Sequence, residues 1–169
     1  MFEQRQGEQA LSFDPAQEAG DGHVVFIGHV ESPWRDRKEC PRNLTRAREA
    51  GKPARLVLAG PYRAGLSGLE GVSHVVILTW LHHSPRNLVV QHPRHAEAAK
   101  GVFALRSPAR PNPVGLHVVR LTKLNADAGI LDLDAIDVLD GTPVIDIKPY
   151  IPAIDAVPDA ETGRAGAPA

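Results

Sequence analysis

Apolar residues in this chain fall in short clusters separated by Gly, Pro, Asp and Asn, and within the clusters they follow the two-residue period of strands. Residues 24–30 form the first such cluster and residues 55–59 the second. Residues 74–81, with Val75, Val76, Ile77 and Thr79, are the strongest β-formers. Residues 87–91 and 101–104 predict two shorter strands. Residues 115–121 set Leu116, Val118 and Arg120 against His117, Val119 and Leu121, which predicts a strand apolar on much of both faces. After a turn at Asp127-Ala128-Gly129 the pattern resumes at 130–133. Residues 136–139 and 144–148 predict two more strands around Asp140-Gly141-Thr142-Pro143, where an Asp-Gly step between apolar runs marks a turn. Only residues 45–50 and 95–100 predict helix, a turn or two each.

Many short strands with Gly/Pro punctuation and no alternation with long helices exclude a doubly wound α/β fold and favour a barrel or sandwich. Residues 1–22 are polar and read as a loose leader, residues 23–155 as one β domain, and the Ala/Gly/Pro-rich residues 156–169 as a flexible tail. A chain of 169 residues with 43% apolar composition can bury a core without staples. Its single cysteine, Cys40, excludes an internal disulfide and points to a reducing, cytoplasmic setting. No stretch is long and apolar enough to suggest a membrane span, and the first ten residues lack the apolar core of a secretory signal.

Net charge is −1, which by itself argues against a nucleic-acid partner. The distribution differs from the sum. Residues 34–63 carry nine Lys/Arg against three acids, and residues 86–123 seven against one, so each stretch is +6. These cations are either scattered over solvated loops or gathered into a basic face for an anionic ligand.

Phosphate-loop, dinucleotide and nucleophile-elbow motifs are missing. His82, His83, His92 and His95 invite a metal reading, but adjacent strand histidines point apart and no acidic ligands lie nearby in sequence, so no metal is expected. The densest chemistry lies between Gly101 and Leu116 (GVFALRSPARPNPVGL), where Pro108, Pro111 and Pro113 stiffen a loop bearing Arg106 and Arg110. A stiff loop holds guanidinium groups ready for an anion or carboxylate at low entropic cost; the plain alternative is a rigid connection with solvated arginines.

That run, together with Leu139 to Tyr150, closely resembles the TsaA/TrmO family of S-adenosylmethionine-dependent tRNA methyltransferases. Ile27 to Pro33, Cys40 to Asn43 and Gly68 to His74 also match, in family order, over about residues 24–155. The resemblance implies a mainly β, single-sheeted barrel with a few short helices, and a homodimer with the cofactor site near the subunit interface. The implied reaction moves the methyl of S-adenosyl-L-methionine to N6 of threonylcarbamoyladenosine beside the tRNA anticodon. The implied cofactor contacts are Pro41, Arg42, Asn43, Leu81, His82, Arg106, Leu116, Asp140, Gly141, Thr142 and Pro143. Asn43 stands where the family has Gln, and Leu105 where it has Thr. A base for the N6 proton is sought among Asp140, Asp146 and His82, and Arg94 and Arg110 are candidate substrate cations. Alternatives are a methyltransferase of another RNA or a small metabolite, and a non-catalytic cofactor- or RNA-binding barrel.

Overall fold

A computed structural model describes residues 5–17, 20, 22–93 and 96–161. In chain order its strands are β1 (Gln9–Ala10), β2 (Gly28–Glu31), β3 (Ala54–Leu58), β4 (His74–Trp80), β5 (Leu88–Gln91), β6 (Lys100–Gly101), β7 (Val114–Asn125), β8 (Ile130–Leu133) and β9 (Pro143–Pro149). Two short helices, α1 (Leu44–Glu49) and α2 (Pro152–Asp155), and two 3-10 turns, Gly60–Leu66 and Val102–Ala104, complete it.

Six strands close into one antiparallel barrel in the order β2-β3-β8-β7-β4-β9, and β9 pairs back onto β2. The strand pattern leaves barrel and sandwich open, and the structure is the mainly β barrel that the family resemblance implies. Alternation along β4 sends Val75, Ile77 and Thr79 inward, while Val76, Leu78 and Trp80 lie on the outer face. Val30, Leu56, Val75, Ile77, Val119, Leu131, Leu133 and Val144 fill the interior together with Ile136 from a loop. Closure leaves this sheet no free edge. At Gly28, β2 is squeezed between Leu58 and Val144, and a Cβ there would lie 2.2 Å from the Val57 carbonyl oxygen.

Residues 24–27 precede β2 rather than extend it, with Val24, Val25 and Phe26 exposed. Three further local expectations fail for identifiable reasons. Residues 136–139 are not a strand, because side chains take their carbonyls: Trp34 Nε1 donates to Ile136 O (2.7 Å) and Ser32 Oγ to Val138 O (2.7 Å). Ile136 and Val138 are nevertheless buried, which is what their apolarity signalled. Residues 101–104 leave the sheet after Gly101 and tighten into a 3-10 turn, and the Arg110 guanidinium donates to Val102 O within it and to Leu105 O just after it. Residues 96–100 form no helix; His95 lies outside the described residues. The other helix forms nearly where predicted, with Asn43 Oδ1 accepting from Arg46 N (2.9 Å) at its start.

Part of the stretch read as a loose leader is anchored. β1 pairs with β5 in a small sheet that also holds β6. The buried Glu8 carboxylate accepts from Arg5 N (3.0 Å), the Arg5 guanidinium (2.8 Å) and His92 N (3.1 Å). Burial pushes this carboxyl up, but those donors together outweigh it and hold it below its ordinary value.

Candidate functional site

The Asp140-to-Pro143 turn is locked onto β2 and the residues that follow it. Asp140 N donates to Trp34 O (2.8 Å), Gly141 N to Val30 O (2.9 Å) and Thr142 N to Leu139 O (3.2 Å). Gly141 takes a left-handed φ of +76°, which glycine alone adopts cheaply. Thr142 is buried and donates its hydroxyl to Leu139 O (2.6 Å), and Pro143 starts β9. One carboxylate oxygen of Asp140 accepts from Ser32 N (3.0 Å), while the residue itself stays exposed. With all three N–H groups engaged internally, the turn has only acceptors, carbonyl and carboxylate oxygens, to offer a ligand. Acceptors suit an amino group, an ammonium or sugar hydroxyls.

A cation stands on another part of the site. Among the described residues, the one hydrogen bond of the exposed Arg106 guanidinium is a long one, NH2 to Leu116 O at 3.4 Å. It thus retains free donors for a carboxylate. Leu116 is 48% exposed on the outer face of β7. Leu81 N donates to Pro113 O (2.8 Å), which ties the end of β4 to the same proline-rich loop. His82 follows, exposed, its ring 3.7 Å from that of His83 at a 43° tilt, so these neighbours stack beyond the strand rather than diverge across it.

The Pro41-Arg42-Asn43 segment leads into α1, with Arg42 exposed and Asn43 acting as the helix cap. It begins beside Cys40, whose thiol is pushed up to about 11 by burial and, secondarily, by the negative charge of Asp137. Cys40 should therefore alkylate at pH 8 about a hundredfold more slowly than in the unfolded chain, because its thiolate fraction falls with the raised value. Reaction rates with iodoacetamide, with and without denaturant, check this; equal rates would contradict it.

Asp137 leads to a group of residues that the sequence reading missed. Its carboxylate sits 2.8 Å from His117 Nδ1, and His117 Nε2 sits 2.9 Å from Thr79 Oγ1. A carboxylate only accepts, so Nδ1 carries the proton; in the neutral ring Nε2 then accepts from the Thr79 hydroxyl. Thr79 and His117 are buried. The available signal is two polar side chains at inward positions whose neighbours on the same face, Ile77 and Val119, are apolar, near Gly115, where a Cβ would strike both.

Not every candidate joins this region. Asp146 lies on β9, where Lys148 Nζ pairs with it at 2.7 Å, beside a cavity of about 580 Å³ lined by Tyr62, Leu66 and Ile147. None of the expected cofactor residues lines that cavity. Arg110 turns inward, its NH2 donating to Val102 O and Leu105 O at 2.7 and 2.5 Å, so it braces its own loop. Arg94 lies outside the described residues.

The family model of the tRNA-methyltransferase O N-terminal domain matches residues 29–156. The tRNA (adenine(37)-N6)-methyltransferase of Escherichia coli K12 is 37% identical over 145 residues, 82% of this chain and 62% of that protein. A probable S-adenosyl-L-methionine-binding protein of Methanothermobacter thermautotrophicus is 40% identical over 131 residues, 78% of this chain and 91% of that protein. A crystal structure of TrmO from Pseudomonas aeruginosa is similar with TM-score 0.68 and 39% identity, covering 86% of this chain and 63% of that one. The chain thus spans under two thirds of the length of the E. coli and P. aeruginosa proteins.

Proposed function

Because the chain belongs to the tRNA-methyltransferase O N-terminal domain family, we propose that it transfers a methyl group from S-adenosyl-L-methionine to N6 of an adenine in tRNA. The proposed acceptor is threonylcarbamoyladenosine beside the anticodon. The observation that carries this reading is the pairing of an acceptor-only turn at 140–142 with the free donors of Arg106. Acceptors and a cation on separate elements suit a ligand bearing an adenine, a ribose and a zwitterionic amino acid.

S-adenosyl-L-methionine supplies an electrophilic methyl on a sulfonium centre. The protein's work is to hold that methyl in line with the N6 lone pair and to exclude water. Asp140 and the turn carbonyls accept from amino and hydroxyl groups, Arg106 pairs with the methionyl carboxylate, and Leu81 and Leu116 offer apolar contact. Of the three candidate bases, His82 stands next to Leu81 at the loop that bears Arg106, Asp140 shares its carboxylate with Ser32 N, and Asp146 is paired with Lys148 at a separate cavity. His82 is therefore the favoured acceptor of the N6 proton.

Homodimerisation is part of the proposal. On the β4–β7 pair, Val76 stands opposite Val118, Leu78 opposite Leu116 and Trp80 opposite Val114, an apolar stripe on the outside of a barrel. Leu116 and Val114 are 48% and 37% exposed, and nearby in sequence Phe103 is 85% exposed. Leu116 belongs both to this stripe and to the expected cofactor contacts, which suits a site at a subunit interface.

A tRNA partner, and with it a cytoplasmic location, is supported by the cations that remain uncommitted. Arg48 and Arg55 are paired with Asp134 and Asp132, so acids late in the chain neutralise part of the first basic stretch. Arg35, Arg37, Lys38, Arg42 and Arg46 are exposed and, among the described residues, form no ion pair. Replacing Arg37, Lys38 and Arg46 together by Ala should weaken tRNA binding and flatten its logarithmic salt dependence by about 0.9 for each phosphate no longer neutralised. Arg55→Ala should leave the slope unchanged. Filter binding across a salt series measures both, and a salt-insensitive affinity would remove the basic arm from the mechanism.

A further inference from the structure

We propose that the hydrogen-bonded chain Thr79–His117–Asp137 holds the separate segments of the cofactor site in register, with His117 as the positioning residue. The inference rests on the methyltransferase reading above and concerns how that same site is assembled.

Each polar member sits beside one of those segments. Thr79 is two residues before Leu81, His117 follows Leu116, and Asp137 is three residues before Asp140. The connections are direct: 2.9 Å from Thr79 Oγ1 to His117 Nε2 and 2.8 Å from His117 Nδ1 to Asp137 Oδ1. The loop from Asp134 to Asp140 has no ladder of its own. From the β2 side it is held by Trp34 and Ser32; from β7, Arg120 holds its start at Asp134 and His117 holds its middle at Asp137. This link sets the Asp140 turn relative to Arg106 and Leu116.

Stability alone does not call for these residues. Their core neighbours Val75, Ile77, Val119 and Val144 are apolar, and valine at position 79 would bring no hydroxyl to satisfy. Two further features make room for the chain. A bulge shifts the β4–β9 register between Leu78 and Thr79, bringing Val144 opposite Thr79. At Gly115 a Cβ would lie 2.3 Å from Thr79 Oγ1 and 2.5 Å from His117 Nε2, so only glycine leaves the hydrogen bond intact.

The test uses the full chain with Thr79→Val, Thr79→Ser, His117→Asn and Gly115→Ala. Calorimetry with S-adenosyl-L-methionine, thermal melts and the KM values for cofactor and tRNA are read in parallel. Thr79→Val, His117→Asn and Gly115→Ala should each weaken cofactor binding about tenfold, the scale of one lost buried hydrogen bond. The KM for tRNA and kcat at saturating cofactor should stay near wild type, and Thr79→Ser should restore binding. Because the residues act as one chain, Thr79→Val added to His117→Asn should cost little more. Wild-type cofactor affinity in folded Thr79→Val and Gly115→Ala would overturn the proposal. So would loss of the cooperative melt in Thr79→Val and Thr79→Ser alike, which would make the chain a stability element only. If the wild type itself binds no cofactor, the methyltransferase reading fails at that measurement, and this inference with it.

Discussion

Arg106→Ala should lower S-adenosyl-L-methionine affinity by about 10- to 100-fold, the scale of a lost charge-assisted hydrogen bond to a carboxylate. It should leave the melting temperature almost unchanged. The two outcomes separate because Arg106 contributes little to the fold: it is exposed, and its hydrogen bond to Leu116 O is long at 3.4 Å. Arg110→Ala should behave in the opposite sense. Its guanidinium braces the Val102 and Leu105 carbonyls inside the loop, so its removal loosens the loop first and affects affinity through it. Calorimetry beside a thermal melt distinguishes the two arginines. Unchanged affinity in folded Arg106→Ala would remove the carboxylate contact from the site.

Gly28→Ala should destabilise the barrel by about 3 kcal/mol, near the upper end for overpacking, because the new methyl meets backbone rather than a movable side chain. A Cβ at that position would stand 2.2 Å from Val57 O and 2.9 Å from Leu58 Cα. Relief requires β2 to withdraw from β3, and β2 is also the strand that closes the barrel against β9. For a domain of this size that cost corresponds to a melting temperature lower by about 10 °C. Gly60→Ala is the matched control: a Cβ there meets nothing within 4 Å, and its melt should stay within about 2 °C of wild type. Equal melts for the two variants would show that β2 withdraws from β3 at little cost.

The barrel was legible wherever strand periodicity and ladder pairing coincide. Ile130–Leu133 matches its predicted bounds, and β4 and β9 differ from theirs only at the ends. Legibility ended where side chains compete for backbone groups. Nothing local in residues 136–139 reveals that Trp34 and Ser32, about a hundred positions away, will take their carbonyls. The same holds for the arginines. Arg106 and Arg110 are alike in sequence, four apart on one proline-rich loop, yet one faces out and the other turns in to two carbonyls. The Asp140-to-Pro143 turn was visible as a turn, whereas the commitment of its N–H groups depends on β2 and the residues just after it. Thr79 and His117 are hard to pick out because each follows or precedes apolar inward positions, Ile77 on β4 and Val119 on β7, and only the β4–β7 register brings them together.

The central claim is methyl transfer to tRNA, and its most direct test supplies the purified chain with S-adenosyl-L-methionine carrying a labelled methyl and with tRNA that either bears or lacks the threonylcarbamoyl group. Nucleosides are then separated and identified by mass spectrometry. Label at N6 of threonylcarbamoyladenosine, and little on the unmodified tRNA, is the predicted result. Saturable cofactor binding with no label in any tRNA nucleoside would contradict it.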